Sequence, residues 1–201
     1  MLQFTLKSSV FDRSRQLTLN PDYLEFDDRE LVNSEPTRFS KQEIEGIRYG
    51  VKLIRGPRIY IGRIFCVDIK NREGKVIQLR LQSVFLIRRR QLAGKYVKVV
   101  ESLFTYYFKD LARSYLQLFL RNEPFEILGV SFNTEGILFD DKIGRIAWDY
   151  IGTRKYRTYY AIYSVTEPDR YKAVDYMEHW NASILHSVTE GILAHKFPNR
   201  Q

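Results

Sequence analysis

The sequence predicts a mainly β chain of two similar units, each a run of short antiparallel strands closed by one amphipathic helix. Three observations predict this. The stretch Leu17–Asp28 returns as Val130–Asp141: Asn20, Phe26, Asp27 and Asp28 recur as Asn133, Phe139, Asp140 and Asp141, and the apolar Leu17, Leu19 and Leu24 are matched by Val130, Phe132 and Ile137. Such an internal repeat implies one structural unit used twice. The segments that follow are rich in β-branched and aromatic residues and alternate in polarity, as strands do. At the end of each copy the apolar spacing changes to the helical period.

The elements follow in order. Leu17–Leu19 and Tyr23–Phe26 flank Asn20-Pro21-Asp22, three turn formers, and read as a hairpin. Asn133-Thr134-Glu135-Gly136 takes that place in the second copy. Arg38–Tyr49 parallels Arg145–Tyr156, with Arg38, Ile44 and Tyr49 matched by Arg145, Ile151 and Tyr156. Ile64–Val67 then parallels Ile162–Val165, each followed by a polar turn, Asn71–Gly74 and Glu167–Arg170. Arg58–Ile69 is strand-like throughout, and Lys75–Leu81 alternates, with Ile77, Leu79 and Leu81 on one face. Tyr96, Val99, Val100, Leu103, Phe104, Tyr107, Leu111, Tyr115 and Leu118 then trace one helical stripe, which Asn122-Glu123-Pro124 ends. In the second copy Val174, Met177, Trp180, Ile184, Val188 and Ile192 trace another, which places Trp180 on a buried helix face. The units therefore span 1–123 and 124–201.

Composition limits the function classes. Apolar residues make up 44% and aromatic residues 14% of the 201, enough for globular cores. The first residues carry no secretory pattern, and no apolar run reaches membrane-span length. The single cysteine, Cys66, sits in an apolar run and reads as a core residue in a reducing, cytoplasmic setting. Charge is unevenly shared: residues 1–124 carry a net +9 and residues 125–201 a net −1, together the +8 of the chain. The basic surplus belongs to the first copy, where it can attract phosphate groups, anionic lipid or an acidic protein face.

Strands first and one helix last, duplicated in tandem, resembles the pleckstrin-homology-like (PH-like) fold, and more narrowly the bacterial PH-like domain families. Ile146-Ala147-Trp148-Asp149-Tyr150-Ile151, and more loosely Phe39–Ile44, resemble the pattern those families carry between early strands. The resemblance covers nearly all of the chain after about residue 12. It implies a bent antiparallel sheet or partly open barrel capped by the helix, and a role in binding rather than catalysis. Phosphoinositide-binding members carry several Lys or Arg in the first strand–strand loop. Here that loop is Asn20-Pro21-Asp22, short and negative, so the resemblance implies no phosphoinositide site there.

The candidate site residues are basic. Arg48, Lys52, Arg55, Arg58 and Arg63 surround Gly56-Pro57 and read as an anion- or partner-binding loop. Arg88-Arg89-Arg90 is the sharper cluster, three contiguous guanidiniums beside an apolar run. Asp27-Asp28 and Asp140-Asp141 recur at a strand end, where side-chain to backbone hydrogen bonds of a turn suit them better than acid–base work. His179 and His186 share a predicted helix face, but three or four ligands are needed for zinc and no further set stands near them; no metal is expected. Arg154–Tyr160 interleaves basic and aromatic residues, but the second copy's net −1 argues against nucleic acid. No Gly-rich phosphate loop, Gly-x-Ser-x-Gly, His-Glu-x-x-His or Cys-x-x-Cys occurs. The expectation is a non-catalytic, cofactor-free binding or scaffolding module for a protein partner or anionic group. The rival readings are a peripheral binder of anionic lipid and an enzyme with a site between the two copies.

Overall fold

The computed structural model describes residues 1–7, 13–28, 35–85, 87–139 and 144–199. Asp140 and Asp141 lie outside the described residues. Contacts divide the chain into two compact units, Met1–Phe108 and Lys109–Gln201. The division falls within the first predicted helix rather than at 123/124.

In unit 1, β1 (Leu2–Leu6), β2 (Arg15–Leu19), β3 (Tyr23–Phe26) and β4 (Thr37–Ser40) form an antiparallel meander in chain order. The long strands β5 (Ile44–Arg55) and β6 (Tyr60–Asn71) pair with β7 (Val76–Val84) in a second sheet with β6 central. α1 (Arg89–Leu103) follows and passes into a π-helical segment, Phe104–Phe108. Unit 2 opens with α2 (Lys109–Leu120). The meander β8 (Phe125–Ile127), β9 (Val130–Phe132), β10 (Gly136–Leu138) and β11 (Arg145–Ala147) comes next. The three-stranded sheet β12 (Ile151–Lys155), β13 (Tyr159–Ser164) and β14 (Tyr171–Asp175) and then α3 (Ala182–Lys196) complete the unit. The chain is mainly β. In each unit the described strands form separate open sheets, four strands and then three, and no closed barrel.

The repeated residues occupy matching places. Leu17, Leu19, Leu24 and Phe26 are buried in unit 1, as are Val130, Phe132, Ile137 and Phe139 in unit 2. Leu24 pairs with Phe39 across β3–β4, and Ile137 with Ile146 across β10–β11. At the turns, Asn20 Oδ1 accepts from the Asp22 amide at 3.1 Å and Asn133 Oδ1 from the Glu135 amide at 3.0 Å. An Asn side chain that bonds two residues onward closes such a turn without a special backbone.

Four expectations are corrected. First, Ile64–Val67 does not correspond to Ile162–Val165. The Arg72 amide donates to the Glu43 carbonyl as the Val165 amide donates to the Tyr150 carbonyl, so Ile162–Val165 matches Ile69–Arg72. The first copy's hairpin is longer and carries a bulge between Ile44 and Gly46. Second, the second helix starts at Ala182, not near Val174. Val174 lies on β14, and Asp175 Oδ1 accepts from the amides of Met177 and Glu178, forming a turn that leaves Trp180 half-buried ahead of the helix. Third, the stripe of the first helix slips. Val99, Leu103 and Tyr107 are buried, then Phe108, Ala112 and Phe119 rather than Leu111 and Leu118. A π segment inserts an extra residue into the helical phase, which accounts for the shift by one. Fourth, the partners of the Asp27 and Asp28 carboxylates are side chains: Arg13 grips the Asp27 carboxylate through two bonds of 2.5 and 2.7 Å, and Thr37 Oγ1 donates to Asp28 at 2.8 Å.

The core of unit 1 lies between α1 and the inner face of the β5–β6–β7 sheet. Phe65, Val67, Leu79 and Leu81 meet Leu6, Tyr96 and Val99 there. In unit 2 an aromatic cluster joins α2 to the meander. Phe119 meets Trp148 edge-on at 5.4 Å between centroids, and Phe125 stacks on Phe132 at 4.9 Å. Trp148, 3% exposed, donates its indole N–H to the Asn133 carbonyl at 2.9 Å.

Candidate functional site

The stretch carrying Arg48, Lys52 and Arg55 is strand β5 rather than a loop, and only Gly56–Ile59 turns. Side chains alternate across a strand, so these basic residues divide between roles. Arg48 points to the outer face of the sheet, where its Nε lies 2.9 Å from Asp68 Oδ2. Arg80 reaches the other Asp68 oxygen at 2.5 Å. Asp68 is buried on central strand β6, and the two guanidiniums supply the charge its burial demands. Arg48 is thus engaged in holding the sheet. Lys52 lies on the same face, exposed, beside Cys66. Cys66 itself is buried, and burial raises its thiol above the ordinary range, the signature of an unreactive core cysteine.

The inner face has a different fate. Its burial decays along the hairpin, from Ile69 at 0% exposed, through Val67 and Phe65, to Leu53 at 50%. β5 and β6 each run for 12 residues, and α1 covers only part of them. The uncovered end forms a cleft of about 400 Å³ whose lining includes Leu53, Ile59, Tyr60, Ile61, Arg63 and Phe85. Ile59 and Phe85 are each 70% exposed, and Tyr60 and Ile87 are exposed beside them. The Phe85 amide donates to the Ile61 carbonyl at 2.8 Å, which ties the end of β7 to β6 and sets the ring at the cleft edge. Phe85 has φ 49 and Arg88 φ 57. A non-glycine residue in the left-handed region is disfavoured, and Phe85 recovers nothing through burial.

The predicted arginines frame this end. Arg55 pairs across the hairpin with Tyr60, and Arg58 sits in the connecting turn. Arg89 lines the apolar cleft and, with Arg88 and Arg90, a second shallow depression at the start of α1. Arg88 Nε donates to Gln91 Oε1 at 3.0 Å. Among the described residues, Arg55, Arg58, Arg89 and Arg90 make no ion pair, and no carboxylate lines either depression. The structure therefore brings Arg55, Arg58, Arg88, Arg89 and Arg90 to one end and leaves Arg48 out. The exposed apolar residues went unread in the sequence because Leu53, Ile59 and Phe85 lie in apolar runs that also supply core.

The corresponding sheet of unit 2 carries a concavity of its own on its outer face, about 690 Å³, floored by Ala161 and Ala173 and walled by Tyr156, Tyr159, Tyr163 and Tyr171. The Tyr163 ring lies over Gly152, where a Cβ would stand 2.6 Å from it. Tyr156 stacks on Tyr159 at 4.3 Å, with the Arg154 guanidinium 5.1 Å from the Tyr156 centroid. Its polar rim is committed locally, since Asp175 caps the following turn and His179 Nδ1 accepts from the Asp175 amide. His179 therefore stands in that turn, apart from His186 on α3.

Among the described residues no three His, Cys, Asp or Glu side chains gather as metal ligands would. No described helix is long and apolar enough to cross a membrane. Compared with family models, curated proteins and solved structures, the chain gives no match.

Proposed function

We propose that the chain is a non-catalytic binding module of two PH-like units, and that unit 1 docks an anionic partner through the free end of its β5–β6–β7 sheet. The PH-like reading is supported by an order found in both units, a four-stranded meander, a three-stranded meander and then a helix, with α2 preceding it in unit 2. The docking reading is carried by one observation. Among the described residues, exposed apolar side chains and arginines without ion pairs share one end of unit 1, and no acidic residue lines its two depressions. Guanidiniums left unpaired in the free protein keep their full donor capacity for carboxylate or phosphate, and a large exposed apolar group marks an interaction surface.

Retention on immobilised polyglutamate tests this reading. Arg88, Arg89 and Arg90 changed together to Glu should elute at clearly lower salt than the unmodified chain. A control with the same charge change elsewhere on unit 1, Arg72, Lys75 and Lys98 to Glu, should shift far less. Equal shifts would mean that net charge alone governs retention and that this end has no special role.

A further inference from the structure

This inference rests on the docking reading above and names the partner. We infer that the end of unit 1 docks on an anionic lipid bilayer, with Ile59, Tyr60, Phe85 and Ile87 entering the headgroup layer and Arg55, Arg58, Arg88, Arg89 and Arg90 lying on the phosphates. Two chain segments supply the apolar groups: the turn into β6 with that strand's first residue, and the connection from β7 to α1. They are side chains projecting into solvent around a shallow cleft, Ile59 and Phe85 most of all. Groups placed this way can enter a soft, deformable surface.

The charges favour the same occupant. Arg88, Arg89 and Arg90 line one shallow depression, Arg89 also reaches the apolar cleft, and Arg55 and Arg58 stand at the β5–β6 turn, so the charges are spread along this end. A protein partner would need carboxylates placed to match each of them, whereas a field of lipid phosphates meets any such arrangement. Apolar residues flanked by basic ones, with a tyrosine among them, suit the boundary between acyl chains and headgroups. Phe85 is held 70% exposed at φ 49, so it gains little from burial in the fold and is available to a surface outside it.

Sedimentation with vesicles of equal parts phosphatidylglycerol and phosphatidylcholine, against phosphatidylcholine alone, tests the inference on the full chain. Binding is expected only to the anionic vesicles. Each basic residue near such a surface is worth roughly a factor of five, so the Arg88, Arg89 and Arg90 to Glu variant should partition at least about 100-fold more weakly. Ile59→Asp combined with Phe85→Asn should lose about tenfold or more with every arginine intact. Both sites are exposed, and an unchanged thermal melt identifies variants that fold. Vesicle binding unaffected by the Ile59 and Phe85 changes would overturn the inference, because attraction of charge alone would then suffice. Absence of vesicle binding, with arginine-dependent retention on polyglutamate intact, would overturn the bilayer and leave the docking reading standing. Loss of both would overturn both.

Discussion

The hydroxyl of Tyr107 lies 2.8 Å from the carbonyl oxygen of Asn20, linking the π-helical segment to the β2–β3 turn of unit 1. The Tyr23 carbonyl shares the same hydroxyl at 2.7 Å. In unit 2 the equivalent Asn133 carbonyl is served by the indole of Trp148 instead. The two units thus satisfy the same turn with donors from different elements. Tyr107→Phe keeps the ring and removes the donor, so it should cost about 0.5–1.5 kcal/mol. A urea midpoint unchanged by this substitution would mean that water replaces the hydroxyl without loss.

Trp148 rather than Trp180 is the anchoring tryptophan of unit 2. It is buried against Phe119 and Phe132, with Lys196 Nζ 5.9 Å from its ring centroid. Trp148→Ala should cost about 3–5 kcal/mol, and Trp180→Ala, from a half-buried turn position, clearly less. Denaturant unfolding of the two variants compares them directly, and the reverse order would refute this packing.

Much of this was legible in the sequence. The repeat named core positions correctly because a hairpin with one buried face fixes every second residue: Leu17 and Val130, Leu19 and Phe132, Leu24 and Ile137 are buried in both units. Registers farther on were not legible, because Ile64–Val67 and Ile162–Val165 look alike as apolar runs while lying at different distances from their turns. Val174, Met177 and Trp180 mimic a helical stripe, and the signal that breaks it is Asp175, a turn former. No local pattern announced the π segment. The arginine cluster was visible as charge. Its division into Arg48, held by Asp68, and the unpaired group at the far end depended on which face of β5 each residue takes.

The triad of Arg48, Asp68 and Arg80 is structural. Asp68→Ala would leave two guanidiniums facing each other across the sheet without their shared carboxylate. A loss of about 1.5–3 kcal/mol is expected, moderated because both arginines are about one-third exposed. Chemical denaturation measures it, and no loss would show that the triad is solvated enough to be neutral.

His186 gives unit 2 a pH dependence. It packs 4.6 Å from the Tyr160 ring centroid and also faces Tyr176, with Lys155 and Glu190 nearby. Burial lowers its pKa, the Lys155 charge lowers it further, and Glu190 partly opposes them. The unfolded chain therefore takes up a proton more readily than the folded one. The His186 contribution is fully favourable above the ordinary histidine range and is lost as pH falls through about 6.5 toward the lowered value, at up to about 1.4 kcal/mol per pH unit. Unfolding free energies measured between pH 8 and 5, flanking about 6.5, should fall for the unmodified chain and fall less for His186→Gln. Equal slopes would place the titration elsewhere.

Hydrogen–deuterium exchange of the full chain, with and without polyglutamate, tests the docking site most directly. Protection is expected in residues 53–63 and 84–90, which hold the apolar cleft and its arginines, with little change at the tyrosine-walled face of unit 2. Protection confined to residues 154–163, with 53–63 and 84–90 unchanged, would contradict the assignment and move the docking surface to the second unit.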